Sequence, residues 1–289
     1  MVNNMEVKVM APAKINLMLD VTGKRDDGYH TLTTIMQTVS LADIVTITEQ
    51  NSDCIVVNTN DSSIPSDKNN IAYRAAEKFI EYTNIEYNGL NIHIQKNIPS
   101  QAGLGGGSAD AAAVLVGLNY MYGTGLSVEQ LCDVAVSIGA DVPFCVAGGT
   151  KLCTGIGEIM ADVTPLEECK IVIAKGNSGV STKNAFKKID SIVVKENHTY
   201  SCYDGSLCSV KRIGYNIFEE VAENDDISYI KDKRISMGAE YSAMSGSGSA
   251  VFGLFADNNI AQQCCTFLRE TGFFSDLCYP ISNSTKVIV

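Results

Sequence analysis

Ile98-Pro-Ser-Gln-Ala-Gly-Leu-Gly-Gly-Gly-Ser-Ala-Asp-Ala-Ala112 is the stretch on which the reading of this chain turns. Glycines at 103, 105, 106 and 107 stand directly ahead of an alanine-rich run. That order predicts a tight loop feeding a helix from about Ser108 to about Tyr122. Without Cβ atoms, consecutive glycines let backbone N–H groups converge on an anion. A helix start adds the positive end of the helix dipole. The Ser108 hydroxyl is then a candidate ligand for a phosphate oxygen or a magnesium ion. The pattern G-x-x-x-x-G-K-[ST] occurs nowhere in the chain, and a G-x-G-x-x-G reading breaks at Ser108. A ligand-free turn is the bland alternative; glycines and a serine before a long helix favour phosphate.

Around this loop, strands and helices mix without regular βαβα alternation, which points to α+β rather than a doubly wound sheet. Residues 14–21 alternate: Ile15, Leu17, Leu19 and Val21 on one face, Lys14, Asn16, Met18 and Asp20 on the other. This reads as a half-buried strand. Further strands are expected at 43–48, 54–57, 90–95, 170–174, 250–255 and 286–289. Helices are expected at 70–82, at 183–189, 216–223 and 259–270, and from Ser127 to about Gly139. Ser127 and Gln130 have capping-box spacing. A shift in composition near 158–165 suggests two domains, 1–160 and 161–289.

The 289 residues suffice for two domains or one large one. Lys plus Arg is 22 and Asp plus Glu is 33, a net charge of −11. Such a surface argues against broad binding to nucleic acid or anionic membranes, but not against one phosphorylated small ligand. No secretory leader and no spanning segment is read, so a cytoplasmic protein is expected. Ten cysteines show no C-x-x-C pair and no zinc-finger spacing with histidine. They read as reduced thiols, many of them buried. The N-x-S/T triplets at Asn60, Asn197 and Asn283 are then chance matches.

Four other clusters are weak alone. Asp141, in Gly139-Ala-Asp-Val-Pro-Phe144, reads first as a capping or turn aspartate. Lys14 with Asn16 reads as a solvated strand face. Asp27-Gly-Tyr-His30 reads as a turn. Ser245-Gly-Ser-Gly-Ser249 reads as a flexible loop or a second backbone nest for an anion.

Together, in this order, the clusters resemble the GHMP kinase superfamily. The shared motifs are Ala-Pro-Ala-Lys-Ile-Asn-Leu at 11–17, Arg-x-Asp-Gly-Tyr-His at 25–30, Pro-x-x-x-Gly-Leu-Gly-Gly-Gly-Ser at 99–108, Gly-Ala-Asp-Val-Pro at 139–143 and Met-Ser-Gly-Ser-Gly-Ser at 244–249. The first two resemble the branch that phosphorylates 4-diphosphocytidyl-2-C-methyl-D-erythritol in non-mevalonate isoprenoid biosynthesis. The resemblance runs from Ala11 to near the C-terminus. It implies a ribosomal protein S5 domain 2-like N-terminal domain, a ferredoxin-like C-terminal domain and a site in the cleft between them. It also implies transfer from ATP, with Mg2+, to the 2-hydroxyl of that alcohol.

Residue by residue, the resemblance makes Asp141 the general base and Lys14 its neighbour, offsetting charge on the transferred group. Asn70, Lys96, Pro99, Gly103, Leu104, Gly105, Gly106, Gly107 and Ser108 would surround ATP, with Ser108 near magnesium. Asn16 would bind the polyol diphosphate. Tyr29 and Phe186 would sandwich cytosine, and His30 would read its edge. Ile156 and Thr182 would form the substrate-side wall. Gly246, Ser247 and Gly248 would close over the substrate. Ala109 stands where many relatives carry a second serine, and Lys183 where some carry proline. Residues 187–226 allow no transfer of roles. Glu158 is a possible magnesium neighbour or merely part of a turn. The partners implied are two small molecules, with monomer and homodimer both open. Another GHMP small-molecule kinase, or a non-catalytic ATP-binding sensor on the same fold, are the competing readings. Tyr29, His30 and Phe186 argue against the first, and the joint presence of Lys14 and Asp141 against the second.

Overall fold

One long hairpin carries the rest of the fold. In the computed structural model, residues 5–177, 179–180, 182–191 and 200–288 are described; Asn197 and Val289 lie outside them. Strand β1 (Glu6–Lys24) turns at 25–29 into β2 (His30–Glu49), and the two pair antiparallel along their length. β2 absorbs the separate strand expected at 43–48. Then follow β3 (Ile55–Thr59), α1 (Ile71–Thr83), β4 (Leu90–Gln95) and α2 (Gly106–Met121). Next come α3 (Val128–Val136), α4 (Val142–Ala147), β5 (Thr150–Thr154) and β6 (Ile159–Asp162). The first sheet runs β11-β1-β2-β4-β3, with β11 (Lys286–Val287) at its edge; β5 pairs with β2 and β6 with β5. Among the described residues only β3 and β4 pair parallel there.

The second sheet has the order β10-β7-β9-β8, all antiparallel. Its strands are β7 (Lys170–Lys175), β8 (Tyr241–Met244), β9 (Ala250–Phe255) and β10 (Phe274–Cys278). Between them lie α5 (Thr182–Ile189), α6 (Leu207–Ile213), α7 (Asp225–Ser236) and α8 (Asn258–Glu270). The helix expected at 216–223 is a short 3-10 turn, Ile217–Glu220. The chain changes sheet between β6 and β7, and its last residues return to the first sheet through β11.

Local chemistry explains the ends nearest the site. Asn70 caps α1 by accepting from the Ala72 amide at 2.8 Å. Ser127 and Gln130 form the capping box of α3. Helix α2 is apolar nearly all round, as a helix wrapped by protein must be. It lies between β1, β2, α1 and α4.

β1 departs from its sequence pattern. The expected half-buried strand is buried on both faces from Ala11 to Val21. The alternation breaks at a β-bulge: Asn16 pairs with Met36 and Met18 with Ile35, leaving Leu17 as the extra residue. Met18 therefore joins Ile15 and Leu17 in the core under α2, while Leu19 and Val21 enter a second core with Val172, Met244, Val251 and Phe255. The other face is covered because the segment before the 3-10 turn lies along it, with the Leu19 amide donating to Tyr215 O at 2.7 Å.

All ten cysteines are unpaired, and six of them are buried. Among the described residues no helix is long and apolar enough to cross a membrane.

Leu17 is fully buried at the bulge. Leu17→Ala is expected to lower unfolding free energy by about 2–5 kcal/mol in denaturant titration. A loss below about 1 kcal/mol would show that the bulge is not packed as described.

Candidate active site

Two small-residue loops meet edge to edge. The Ala250 amide donates to Ala102 O at 3.0 Å, and Ser245 Oγ donates to Gly103 O at 2.9 Å. The approach is so close that a Cβ on Gly103 would stand 2.0 Å from Ser245 O. Gly105 has φ +70°, and a Cβ there would press on the Lys14 side chain at 2.9 Å. These glycines are required by position as well as by dihedral. Ser245, Ser247 and Ser249 are buried, so the second loop is a braced element rather than a flexible one.

Helix α2 starts at Gly106, earlier than expected, with no side-chain cap at Gly105. Its first intrahelical bond runs from the Ala109 amide to Gly105 O at 2.8 Å. The amides of Gly106, Gly107 and Ser108 precede it and face outward as helix-start donors.

Two cavities flank this loop. One, of about 380 Å³, is lined by Asn70, Lys96, Pro99, Gly103, Leu104, Gly105, Gly106, Gly107 and Ser108, all expected there, and by Asp110. The other, of about 330 Å³, is lined by Lys14, Asn16, Asp141, Ile156, Thr182, Phe186, Gly246 and Ser247, again as expected. Gly103, Gly105 and Ser108 line both. The glycine loop is thus a common wall between the cavities.

Lys14 and Asn16 are buried, so the solvated-face reading fails. Lys14 Nζ donates to Asn16 Oδ1 at 2.8 Å and lies 3.5 Å from Asp141 Oδ2. Asp141 stands at the N-cap of α4, yet its side chain makes no capping bond. Its carboxylate is one-third exposed to the second cavity beside the Lys14 ammonium. The Gly246 amide donates to Asn16 Oδ1 at 2.9 Å. Asn16 Nδ2 in turn donates to Thr34 Oγ1 at 2.8 Å. Asn216 Nδ2 holds the same loop from behind, donating to Met244 O and Gly246 O at 2.8 and 2.9 Å. Thr182 and Ser247 share a hydroxyl hydrogen bond of 2.8 Å.

Under the other side of the glycine loop, Lys96 Nζ donates to Asp110 Oδ2 at 2.6 Å and to Asp43 Oδ2. Both carboxylates are buried. Burial alone would lower the Lys96 pKa, but Asp110 and then Asp43 outweigh it and raise it. Burial is the main cause that raises Asp110 well above the usual carboxylate range. Lys96 and Asn70 therefore stand at the first cavity with their polar atoms already engaged; Asn70 Nδ2 donates to Pro65 O at 2.7 Å.

The His30 ring stacks on Phe186, one of the two rings expected to flank cytosine, with centroids 4.8 Å apart and planes at 24°. Tyr29 is 61% exposed, its amide held by Asp27 Oδ1 at the hairpin tip. Neither Tyr29, His30 nor Gly248 lines the second cavity. Glu158 accepts from the Ile156 amide at 2.6 Å, which fits the turn reading.

Asp43, Asp110, Thr34 and Asn216 belong to the site although none of the sequence motifs names a role for them. Asp110 carried a signal, an acid inside an alanine-rich helix two residues past Ser108. Asn216 carried none.

The family model for the GHMP kinases N terminal domain matches residues 70–149, and that for the GHMP kinases C terminal matches residues 216–272. A 4-diphosphocytidyl-2-C-methyl-D-erythritol kinase of Clostridium botulinum is 44% identical over 270 residues, covering 90% of this chain and 95% of the relative. The kinase of that name from Caldicellulosiruptor saccharolyticus is 44% identical, covering 90% and 93%. A crystal structure of a 4-(cytidine 5'-diphospho)-2C-methyl-D-erythritol kinase superposes with TM-score 0.74 at 28% identity, covering 94% of this chain and 98% of that one. Mevalonate kinase of Methanococcus jannaschii superposes equally well at 15% identity, which speaks for the fold alone.

Lys96→Met leaves Asp43 and Asp110 buried without a counter-charge. It is expected to cost about 3–5 kcal/mol at neutral pH. The loss should shrink in acid. A carboxylate whose pKa burial raises, as at Asp110, binds more protons folded than unfolded, so stability rises as pH falls. Urea titrations of both proteins at pH 7 and pH 5 check this; an equal loss at both would contradict the buried-charge account.

Proposed function

Because this chain belongs to the GHMP kinases, and among them to the 4-diphosphocytidyl-2-C-methyl-D-erythritol kinases, we propose that it transfers the γ-phosphoryl group of ATP to the 2-hydroxyl of that alcohol. The product is the 2-phosphate, an intermediate of non-mevalonate isoprenoid synthesis. The observation that carries this reading is the shared wall: Gly103, Gly105 and Ser108 line both cavities. A nucleotide in one cavity and an alcohol in the other bring phosphate and hydroxyl together at that wall, the proximity that phosphoryl transfer demands.

ATP phosphates would lie on the amides of Gly106, Gly107 and Ser108. The alcohol would lie in the second cavity with its 2-hydroxyl against Asp141. The Asp141 carboxylate takes the hydroxyl proton as the oxygen bonds to the γ-phosphorus and the bond to the β-phosphate oxygen breaks, releasing ADP. The Lys14 ammonium, 3.5 Å from Asp141 Oδ2, offsets the negative charge spread over the transferred group. Ser108 offers a hydroxyl oxygen, the donor type magnesium prefers, and a magnesium ion there would neutralise phosphate charge.

Asn16, Thr182, Ile156 and the loop 246–248 would hold the polyol diphosphate. Phe186 and His30 mark the cytosine end, with Tyr29 exposed on the same hairpin to cover the base from the solvent side. The first sheet with its helices, ending at β6 and taking back β11, would serve as one family domain and the second sheet with its helices as the other, each contributing one loop; the expected cut between 160 and 161 falls inside β6. The enzyme would work on soluble metabolites in the cytoplasm.

Coupled ADP release with Mg-ATP tests the reading, offering the cytidylyl alcohol, mevalonate and homoserine in parallel. Turnover with the cytidylyl alcohol alone is expected. Asp141→Asn should lower that turnover by about 10²–10⁴-fold, the contribution of a general base, with ATP affinity retained. Turnover only with another alcohol would refute the substrate, and an active Asp141→Asn variant would refute the base.

A further inference from the structure

Asp190 follows α5, the helix that brings Thr182 and Phe186 to the second cavity. It lines neither cavity, and no step of the transfer uses it. Its two oxygens are nevertheless divided between two residues of the β1–β2 hairpin. Oδ2 accepts from Lys24 Nζ at 2.6 Å, and Oδ1 lies 2.7 Å from His30 Nε2.

These bonds determine the state of the imidazole. The hydrogen bonds from Lys24 and His30 lower the Asp190 pKa below the usual carboxylate range. An ionised carboxylate only accepts, so His30 Nε2 carries the proton. In the neutral ring Nδ1 is then an acceptor. The ring is also fixed in space, flat on Phe186, which meets Phe218 edge-on at 4.9 Å and 88°. One carboxylate thus ties the hairpin to α5 and sets both the tautomer and the plane of His30.

The cluster contributes little to stability. Lys24 and Asp190 are one-half and about one-third exposed, and exposed ion pairs are weak. Its worth lies in orientation.

We propose that Asp190 is a positioning residue for the nucleobase end of the substrate: it holds His30 as the Nε2–H tautomer against Phe186, so that Nδ1 is presented as an acceptor for an N–H of the base. The nucleobase part rests on the proposed cytidylyl substrate; the tautomer part does not.

The chain has three histidines, so long-range 1H–15N correlation spectra of the free protein can resolve His30, with His30→Gln for assignment. The expected result is the Nε2–H tautomer in the unsubstituted protein and a mixture in Asp190→Asn. In kinetics, Asp190→Asn should raise KM for the cytidylyl alcohol about tenfold, the size of one lost charged hydrogen bond. KM for ATP and the melting temperature should stay near those of the unsubstituted protein, and Asp190→Glu should recover part of the loss. An Nδ1–H tautomer in the unsubstituted protein overturns the proposal. So does an Asp190→Asn variant that raises both KM values together, the mark of a merely structural residue. If the unsubstituted chain turns over no cytidylyl alcohol, the substrate reading falls alone, and the spectra decide the tautomer.

Discussion

Asn16 Oδ1 accepts two hydrogen bonds, one from Lys14 Nζ and one from the Gly246 amide. The site depends on that double acceptance. It fixes the ammonium beside Asp141 from the first sheet, and it fixes the loop 245–249 from the second. A buried ammonium and a buried amide each need a partner. A single amide oxygen satisfies both, so moving Asn16 would strand both at once. Asn216 repeats the device behind the loop, binding Met244 O and Gly246 O with one nitrogen.

The glycine loop is held between two polar networks of different kind. On the side of the second cavity lie Lys14, Asn16 and Asp141, with the carboxylate partly open to solvent. On the other side Lys96 is locked between Asp43 and Asp110, both buried. The first network is open for chemistry. The second is closed and supports the floor beneath the helix start. Buried charges so arranged are costly to break, which makes the loop a rigid platform for phosphate rather than a lid. Rigidity suits transfer between two cavities that share one wall.

Much of this was legible in the sequence. Leu90 to Gln95 and Ala250 to Phe255 are strands as read, and Ser127 with Gln130 forms the box their spacing implied. Glycines before an alanine-rich run marked the loop because local backbone chemistry alone dictates it. What the sequence hid depends on contacts far along the chain. The bulge at Leu17 sends Met18 to the opposite face from its period-2 place. Short elements such as β5, β6, β8, α4 and α6 have too few residues to show a period. The reach of Asn216 to Gly246 spans 30 residues and leaves no local pattern. The stacking of His30 on Phe186 likewise follows from α5 and the hairpin packing together, held by Asp190.

Turnover of Asn16→Leu, read beside its ATP affinity, tests most directly whether this one oxygen joins the two halves of the site. Leucine keeps the volume and removes the acceptor. Lys14 and the loop 245–249 then lose their common anchor, while the amides at the start of α2 are untouched. A fall in kcat of about 10²-fold or more is expected, the effect of misplacing reacting groups by about an ångström, with ATP binding close to that of the unsubstituted protein. A folded Asn16→Leu variant that turns over within about threefold of it would contradict the claim that this one oxygen joins the two halves of the site.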